Sequence, residues 1–299
     1  ETNGFRFDRI VSRWSREYGF LSFVSDHGLY TDLVAYGNGD AGVYPGAGPQ
    51  GHCTRYGIEI RRVDSYRNTL GYSGTSGDGI WVHDSRFHHN ATGISMDSAF
   101  SGHPGMPQDC SKFERNRIYS NNADLFNAQR DAYCKRPMLS RDPKVLCPTE
   151  LVPVGTGLLI AGGNGNVVRD NWIYDNWRYG TMLFWVPASV RGEADPGLST
   201  DTSHGNRFLS NRMSLTRGGM RSPNGLDFWW DEEGSGNCWE RNGRVRSNPA
   251  VLPTCAPPAP FTPASPVKFS QLVACAGWNP LTNTDPAGCA WPRRPTRPG

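Results

Sequence analysis

The side chains that could act on a substrate are concentrated in a few polar stretches between apolar runs. Residues 97–112, 128–156 and 187–205 contain most of them, and the stretch NGLDFWWDEEGSGNCW places acids beside tryptophans. Acids and histidines serve proton transfer, and exposed Trp beside acids suits sugar rings, whose apolar faces pack on aromatics. The candidate catalytic residues are Asp97, His103, Lys135 and Asp227, and the candidate substrate-binding residues are Trp229, Arg130, Asp195 and Arg191.

Two reaction classes fit these groups. A uronate lyase needs a cation against the substrate carboxylate and a base for the proton at C5. A glycoside hydrolase needs two carboxylates, such as Asp97 with Asp227. The spacing favours neither class, because several residues would serve each role in the lyase: Lys135, Arg130 or Arg178 as the cation and His103 or Asp97 as the base.

A repeat organises the chain that positions these groups. Two series of glycine-led apolar runs recur, one from Gly4 to Gly157 and one from Gly19 to Gly225, and their uninterrupted steps are 22 to 24 residues long. A short polar segment with one or two apolar residues lies between the two series. One period therefore contains three short strands, and each strand is expected to pair in parallel with its equivalent one period later.

Alternation within the strands predicts which side chains lie inside the coil. Ile80 and Val82 of GIWV point inward, whereas Asp97, Asp227 and Trp229 point outward. Asparagines end the polar segments at Asn68, Asn90 and Asn121. They are expected to turn the corner in the left-handed conformation and to hydrogen-bond to the same residue one coil along, so Asn90 is interpreted as a ladder residue although it begins a glycosylation sequon.

The glycine-led strands and the N-x-[IF]-x-x-N segments resemble the right-handed parallel β-helix proteins, the pectate-lyase-like group of secreted carbohydrate-active proteins. The resemblance covers roughly residues 1–245, or about seven coils. It implies an all-β solenoid over residues 1–246 and a glycan partner. It does not imply one activity, since the same solenoid supports lyases, hydrolases, epimerases and adhesins. The Tyr-Gly-Phe-Asp-Pro-His stretch of mannuronan epimerases is absent, because Tyr18-Gly19-Phe20 continues with Leu-Ser-Phe.

Eight cysteines and a proline-rich end suggest a stapled, exported protein. The even cysteine count without CxxC favours disulfides in an oxidising compartment, and hence a secreted or cell-surface location. Residues 247–299 are expected to form an irregular extension that runs along the solenoid, because their prolines cannot continue the coil. Connectivity is not fixed by sequence, and the expected pairs are Cys134–Cys147, Cys238–Cys255, Cys275–Cys289 and Cys53–Cys110.

Insertions interrupt the period at what reads as one corner of the coil. All four follow a strand of the second glycine series, which predicts that they build one wall and that this wall is the site. The alternative is a corner that merely tolerates loops. The insertions are residues 45–56, 97–112, 128–156 and 187–205.

The bulk composition excludes some partners. A net charge of +3 argues against nucleic acid, and no apolar run approaches the ~20 residues of a membrane span. No cofactor is indicated, and calcium alone is left open by Asn164, Asn166 and Asp170, where a turn is favoured. Because a strand begins near residue 1, the first coil invites a protein partner or a missing upstream segment. The functional alternative to a carbohydrate-active protein is a non-catalytic assembly or adhesion scaffold.

Overall fold

The computed structural model describes residues 1–193, 203–276 and 288–299. Within these residues the strands are short, and three helices and one 3-10 turn, Met138–Ser140, lie outside the sheets: α1 (Ala128–Cys134), α2 (Ala188–Arg191) and α3 (Pro266–Ala276). The strands in chain order are β1 (Asn3–Asp8), β2 (Val11–Arg13), β3 (Phe20–Phe23), β4 (Asp26–Thr31), β5 (Val34–Tyr36), β6 (Ala41–Gly46), β7 (Ile58–Arg61), β8 (Asp64–Tyr66), β9 (Leu70–Thr75), β10 (Ile80–His83), β11 (Arg86–His88), β12 (Thr92–Asp97), β13 (Lys112–Glu114), β14 (Arg117–Tyr119), β15 (Thr156–Ala161), β16 (Val167–Arg169), β17 (Trp172–Tyr174), β18 (Tyr179–Phe184), β19 (Arg207–Leu209), β20 (Arg212–Met213), β21 (Leu226–Trp230), β22 (Cys238–Glu240) and β23 (Ser247–Asn248).

The strands form three parallel sheets, and the chain visits them in turn. Sheet A runs from β1 through β4, β7, β10, β13, β16 and β19 to β22. Sheet B runs from β2 through β5, β8, β11, β14 and β17 to β20, and sheet C from β3 through β6, β9, β12, β15, β18 and β21 to β23. Each strand pairs with its equivalent one coil later, as Ile58 with Ile80. The fold is therefore a right-handed parallel β-helix, as the repeat predicts.

The core is a stack of equivalent apolar side chains inside the coil. Ile60, Val82 and Phe113 occupy one register position on successive strands of sheet A and are fully buried. Ile80 is buried as well, so the predicted inward face of β10 is confirmed. Each such side chain contributes about 1.5–3 kcal/mol through removal from water, and the period repeats this contribution on every coil.

Buried asparagines form a ladder at the corner between sheets B and C. Each donates its backbone N–H and its amide to Oδ1 of the next, for example from Asn68 to Asn90 at 2.9 and 3.2 Å. The predicted bond one coil along is confirmed. The predicted left-handed conformation is wrong, because positive φ lies on the preceding residue, as at Arg67 and His89. That residue makes the turn, which leaves the asparagine side chain directed inward. The ladder consists of Asn38, Asn68, Asn90, Asn121, Asn176 and Asn224.

Asn121→Ala is expected to lower the free energy of unfolding by about 1–3 kcal/mol, since it leaves buried donors of the neighbouring coil unpaired. Asn121 Oδ1 accepts from Asn90 at two atoms, and its amide donates to Asn176 and to the carbonyl of Phe87. Urea unfolding followed by circular dichroism measures the change. The exposed Asn3→Ala variant is the control and should stay within about 0.5 kcal/mol of wild type; equal stability of both variants would contradict a role for the ladder.

The long connections leave the coil at two corners rather than one. Those after β6, β12 and β18 lead from sheet C to sheet A, as predicted. The connection 120–155, however, leaves β14 of sheet B and returns to β15 of sheet C, so the single phase predicted for 128–156 is wrong. The chain departs after the ladder asparagine and rejoins where Gly155 N donates to the carbonyl of Ala91. Loops therefore lie at both ends of the strands of sheet C, and the outer face of this sheet becomes the floor of a cleft.

All eight cysteines are paired as predicted. Cys53–Cys110 joins two loops at the C–A corner, and Cys134–Cys147 closes the connection 120–155. Cys238–Cys255 ties β22 to the C-terminal extension, and Cys275–Cys289 closes a loop within it. The staples thus fix the insertions and the end of the chain, which the repeating core does not stabilise.

The C-terminal extension contains a helix that the sequence analysis does not predict. The expected irregular chain includes the 11-residue α3, which packs on the outer face of sheet C through Leu272. Its proline, Pro266, occupies the first turn, where a missing N–H costs nothing. Lys268 anchors the helix by donating to the carbonyl of Trp230 at 2.7 Å and to Glu232 at 2.8 Å. Within the described residues, no helix has the length and apolarity required to cross a membrane.

Candidate functional site

A cleft of about 500 Å³ lies on the outer face of sheet C. Its floor is formed by β12, β15 and β18, and its walls by the loop after β12, the return of the 120–155 connection, α2, α3 and Trp291. Most of the lining is apolar. Its two acidic side chains are Asp97 and Glu150, which reach it from opposite edges of the sheet.

Asp97 ends β12 and is held by two hydrogen bonds. Thr75 Oγ1, one coil earlier on the same register position, donates to Oδ2 at 2.8 Å, and Ala99 N donates to Oδ1 at 3.1 Å. Burial raises the pKa of Asp97, while these donors oppose the rise because they favour the charged carboxylate. As predicted, Asp97 points outward from the coil, and it lies partly buried at the floor of the cleft.

Glu150 is placed by the segment that returns to sheet C. Thr149 N donates to the carbonyl of Gly39 at 3.2 Å, and Thr149 Oγ1 donates to Asp40 Oδ2 at 3.0 Å. Burial raises the pKa of Glu150 well above its usual value, and the nearby carboxylates of Asp40 and Asp97 raise it further. The Glu150 carboxyl group therefore keeps its proton to higher pH than an ordinary glutamate does, and it lies in the same cleft as Asp97.

Asp40 and two tyrosines support this pair from behind. Asp40 is buried just before β6, and burial raises its pKa to about 6. Tyr18 and Tyr44 stack with ring centroids 4.6 Å apart, and burial raises the pKa of both hydroxyls. The tyrosines therefore remain protonated and neutral.

His103 lies on the loop after β12, near Phe100 but outside the lining of the cleft. Its ring packs edge-on against Phe23 at 5.4 Å and lies 6.4 Å from Phe100. Its buried Nδ1 has no hydrogen-bond partner in the part of the chain that the structure describes. A charged His103 would lower the pKa of Asp97, so the two predicted residues Asp97 and His103 are brought within electrostatic range of each other.

Aromatic side chains line the path beyond the acids. Phe184 at the end of β18 faces Trp291 with centroids 5.8 Å apart, and Trp185 stacks on Phe269 of α3. Phe100 is 49% exposed at the mouth. Flat apolar surfaces beside hydrogen-bonding acids suit the faces and hydroxyls of sugars.

Alternation along the strand predicts that Asp227 points outward, and the structure does not place it in the cleft. It is buried where the chain turns into β21, and its carboxylate accepts from Ser214 Oγ at 2.6 Å, Asn224 Nδ2 at 2.9 Å and Arg246 N at 2.9 Å. These bonds complete the end of the asparagine ladder. Because all three of these donors belong to the protein, we assign Asp227 to holding the last coils together.

Trp229 and Arg191 are also covered. Trp229 points outward from sheet C, as predicted, but α3 lies over it, with Lys268 Nζ 5.6 Å from its ring. Arg191 is buried in α2, where it donates to the carbonyl of Val186 and lies 4.0 Å from Glu193. The predicted binding residue Asp195 lies outside the described residues.

The predicted cations lie away from the acids. Lys135 pairs with Asp131 at 2.7 Å on α1 and lines a separate depression beside Cys134 and Cys147. Arg130 donates to the carbonyl of Leu146 at 2.7 Å and braces the disulfide loop. Arg178 donates to the carbonyls of Val154 and Ala290 and ties the extension to the coil.

Glu150 and Asp40 are the residues that the sequence analysis missed. Glu150 precedes the apolar run Leu-Val-Pro-Val that brings the chain back to sheet C, and Asp40 precedes the buried strand Ala-Gly-Val. A carboxylate beside a fully apolar segment is a signal of a buried acid. The single-corner interpretation of the loops concealed it, because it placed this segment on the opposite edge of sheet C.

The pH dependence of stability should reflect Asp40 and Asp231. Asp231 is fully buried, accepts from Trp185 N and Glu233 N, and has a pKa raised to about 7 by burial. Between about pH 4, the unfolded value, and pH 6–7, the folded protein binds more protons than the unfolded chain. The free energy of unfolding should therefore fall as pH rises through this window. Urea unfolding at pH 5 and pH 7.5 measures it, and Asp231→Asn should flatten the slope; an unchanged slope would contradict the raised pKa.

The described residues contain no group of three or more His, Cys, Asp or Glu side chains arranged to hold a metal ion. Asn166, which was considered for calcium, instead belongs to a separate run of stacked asparagines, in which its amide donates to Asn206 Oδ1 at 3.0 Å. Its amide is thus used within the coil.

The fold and the cleft define a right-handed parallel β-helix protein with an acid-lined cleft on one sheet. The chain matches no protein-family model, and no curated protein matches it in sequence. Among solved structures, it is similar to the A-module of the mannuronan C-5 epimerase AlgE4 of Azotobacter vinelandii, with a TM-score of 0.51 and 12% identity over 80% of this chain and 53% of that chain.

Two other solved structures have lower scores. The AlgE6 A-module of the same organism has a TM-score of 0.46 and 16% identity over 81% of this chain and 54% of that chain. The periplasmic alginate epimerase AlgG has a TM-score of 0.43 and 13% identity over 80% of this chain and 50% of that chain. The chain thus spans about half the length of these proteins, and at this identity the likeness concerns the fold alone.

Proposed function

We propose that this protein processes a polysaccharide by acid–base catalysis in the cleft on sheet C. Glu150 acts as the acid and Asp97 as its charged partner. The observation that supports this most is the pair itself: two carboxyl groups line one cleft, and burial raises the pKa of both, well above the usual value for Glu150 and against opposing hydrogen bonds for Asp97. Pairs of acids whose environments separate their pKa values are typical of acid and base roles.

The reaction class that fits this pair is hydrolysis of a glycosidic bond. Glu150 would donate its proton to the leaving oxygen, and Asp97 would either deprotonate the attacking water or attack the anomeric carbon. Phe100, Phe184 and Trp291 would pack against the sugar faces. A polysaccharide ligand is supported further by the AlgE4 module, which is named as an epimerase of mannuronan.

The site differs from the single loop wall expected from the sequence. We place it between loops from both edges of sheet C, with the loops after β12 and β18 on one side and residues 149–153 on the other. The four disulfides favour an oxidising compartment. The protein is accordingly proposed to act outside the cytoplasm, in secreted form or at the cell surface.

A polysaccharide screen tests the proposal. The purified chain is incubated with neutral and uronate-containing polymers, and products are followed as new reducing ends and as ultraviolet absorbance of unsaturated uronates. Hydrolysis gives the first signal alone, whereas a lyase gives both. Reducing ends that disappear with Glu150→Gln or Asp97→Asn but persist with the exposed Asp124→Asn control would support the assignment.

Two outcomes would overturn it. Turnover that survives both cleft substitutions would move the chemistry elsewhere. Absence of turnover and of binding across the screen would favour the second class of function, a non-catalytic scaffold that uses the coil as a rigid support.

A further inference from the structure

The outer face of sheet B presents an unbroken row of stacked rings. Tyr36, Tyr66, His88, Tyr119 and Tyr174 occupy one register position on five successive strands. Their centroids are 4.8 to 5.3 Å apart, and neighbouring planes differ by 6 to 11°. Because each ring covers the faces of its neighbours, the row presents ring edges and hydroxyl groups to solvent rather than open faces.

A second row, in which three of the residues are arginines, runs beside the rings. Arg86, Arg117, Trp172 and Arg212 share the other outward register position of sheet B, with Asp64 before them. Arg86, Arg117 and Trp172 border a depression of about 400 Å³ that extends to the corner with sheet A. Five arginines against two aspartates line it: Arg62, Arg86, Arg115, Arg117 and Arg217 against Asp64 and Asp84.

The arginines of this depression differ in how they are satisfied. Arg62 is paired with Asp32, and Arg115 with Asp84 and Glu114. Arg86 pairs with Asp64. Within the described residues, no ion pair involves Arg117, Arg212 or Arg217.

Trp172 positions two of the unpaired cations. The guanidinium groups of Arg212 and Arg217 lie 4.9 and 5.8 Å from its ring, one from the next strand and one from the loop after β20. Cation–π contact orients a guanidinium without neutralising it. The two groups and Arg117 therefore crowd positive charge around Trp172, which an external anion would relieve.

We propose that this face of sheet B binds an acidic polysaccharide along the axis of the coil, independently of any reaction in the cleft on sheet C. Charge complementarity selects an anion, and the arginine fork suits carboxylates and sulfates. The repeat favours a polymer, because equivalent side chains on neighbouring parallel strands recur every ~4.8 Å along the axis of the coil, which is about the length of one sugar in an extended chain. The tyrosine hydroxyls of the neighbouring row supply partners for sugar hydroxyls.

A nucleic acid fits the same face less well. Single strands are bound largely by stacking of bases on open aromatic faces, and here the ring faces are covered by one another. The aspartates among the arginines also lower the charge that a phosphate backbone would meet.

The test measures binding rather than activity, so that its result is separate from that of the polysaccharide screen. The full chain is titrated with a defined oligo-uronate, a neutral glucan oligomer and a single-stranded DNA of equal charge, at several salt concentrations. Oligo-uronate should bind most tightly and weaken with salt. The double variant Arg117→Gln/Arg217→Gln should bind it at least tenfold more weakly, with a shallower salt dependence, while the exposed Lys144→Gln control binds like wild type.

Unchanged melting temperatures of the variants would show that the loss is local. The inference is overturned if the double variant binds oligo-uronate like wild type, if DNA binds more tightly than oligo-uronate, or if Glu150→Gln abolishes this binding while the arginine variant does not. The last result would place the acidic glycan in the cleft on sheet C.

Discussion

Glu150→Gln is expected to reduce turnover of the polysaccharide substrate by roughly 10²- to 10⁴-fold, the usual contribution of a positioned acid. The amide has the shape of the neutral carboxyl and cannot donate a labile proton. Burial, together with the carboxylates of Asp40 and Asp97, raises the pKa of Glu150 well above its usual value, so the alkaline limb of the wild-type pH–rate profile should lie at higher pH than it would for an ordinary glutamate. The variant should lose that alkaline limb, which a pH–rate profile measures.

The leaving group provides a second readout for Glu150. A substrate with an acidic phenol as its leaving group needs little protonation, so Glu150→Gln should recover most of the wild-type rate on it. Asp97→Asn should not recover, because the charged partner acts on the other face of the sugar. Loss of activity on both substrates with Glu150→Gln would mean that Glu150 supports the structure rather than donating a proton.

Asp40→Asn is the matched control for this acid cluster. Asp40 is buried behind the cleft and contributes like charge to Glu150 without lining the cavity. Its replacement should shift the alkaline limb to lower pH and leave the maximal rate within a few-fold of wild type. A loss as large as that of Glu150→Gln would contradict the division of roles.

The periodic part of the molecule is predictable because one rule repeats. The inward position of Val82 and the ladder bond of Asn90 follow from spacing alone, since every coil imposes the same pairing on the next. The disulfides were predictable for a related reason. Three of the four pairs close local loops of 13 to 17 residues, and Cys53–Cys110 joins the two cysteines that remain.

The cleft was less predictable because it depends on departures from the repeat. The insertion 128–156 was predicted to lie at the C–A corner, and so Glu150, which lines the same cleft as Asp97, was missed. Asp227 and Trp229 were predicted to lie at an exposed surface. Asp227 instead accepts hydrogen bonds at the end of the asparagine ladder, and Trp229 is covered by helix α3, which the strand repeat does not predict.

Trp239→Ala is expected to lower the free energy of unfolding by about 3–5 kcal/mol, the range for removing a large buried aromatic. Trp239 lies on β22, the last strand of sheet A, and is 7% exposed. Its ring stacks on Phe208 with centroids 5.1 Å apart and packs against Trp230 with centroids 5.2 Å apart, while its backbone N–H donates to the carbonyl of Pro253 in the extension. It therefore closes the apolar end of the coil, which would otherwise face water.

The nature of the Trp239 contribution can be separated by a milder substitution. Within the described residues the buried indole Nε1 has no hydrogen-bond partner, so Trp239→Phe keeps the stacking and removes an unsatisfied donor. It should therefore cost much less than Trp239→Ala. Trp172→Ala, on the half-buried outer face of sheet B, is the control and should cost about 1 kcal/mol or less. Urea unfolding by circular dichroism measures all three. If Trp239→Ala were no more destabilising than Trp172→Ala, the extension alone would close the coil, since its Leu252 also packs against the core.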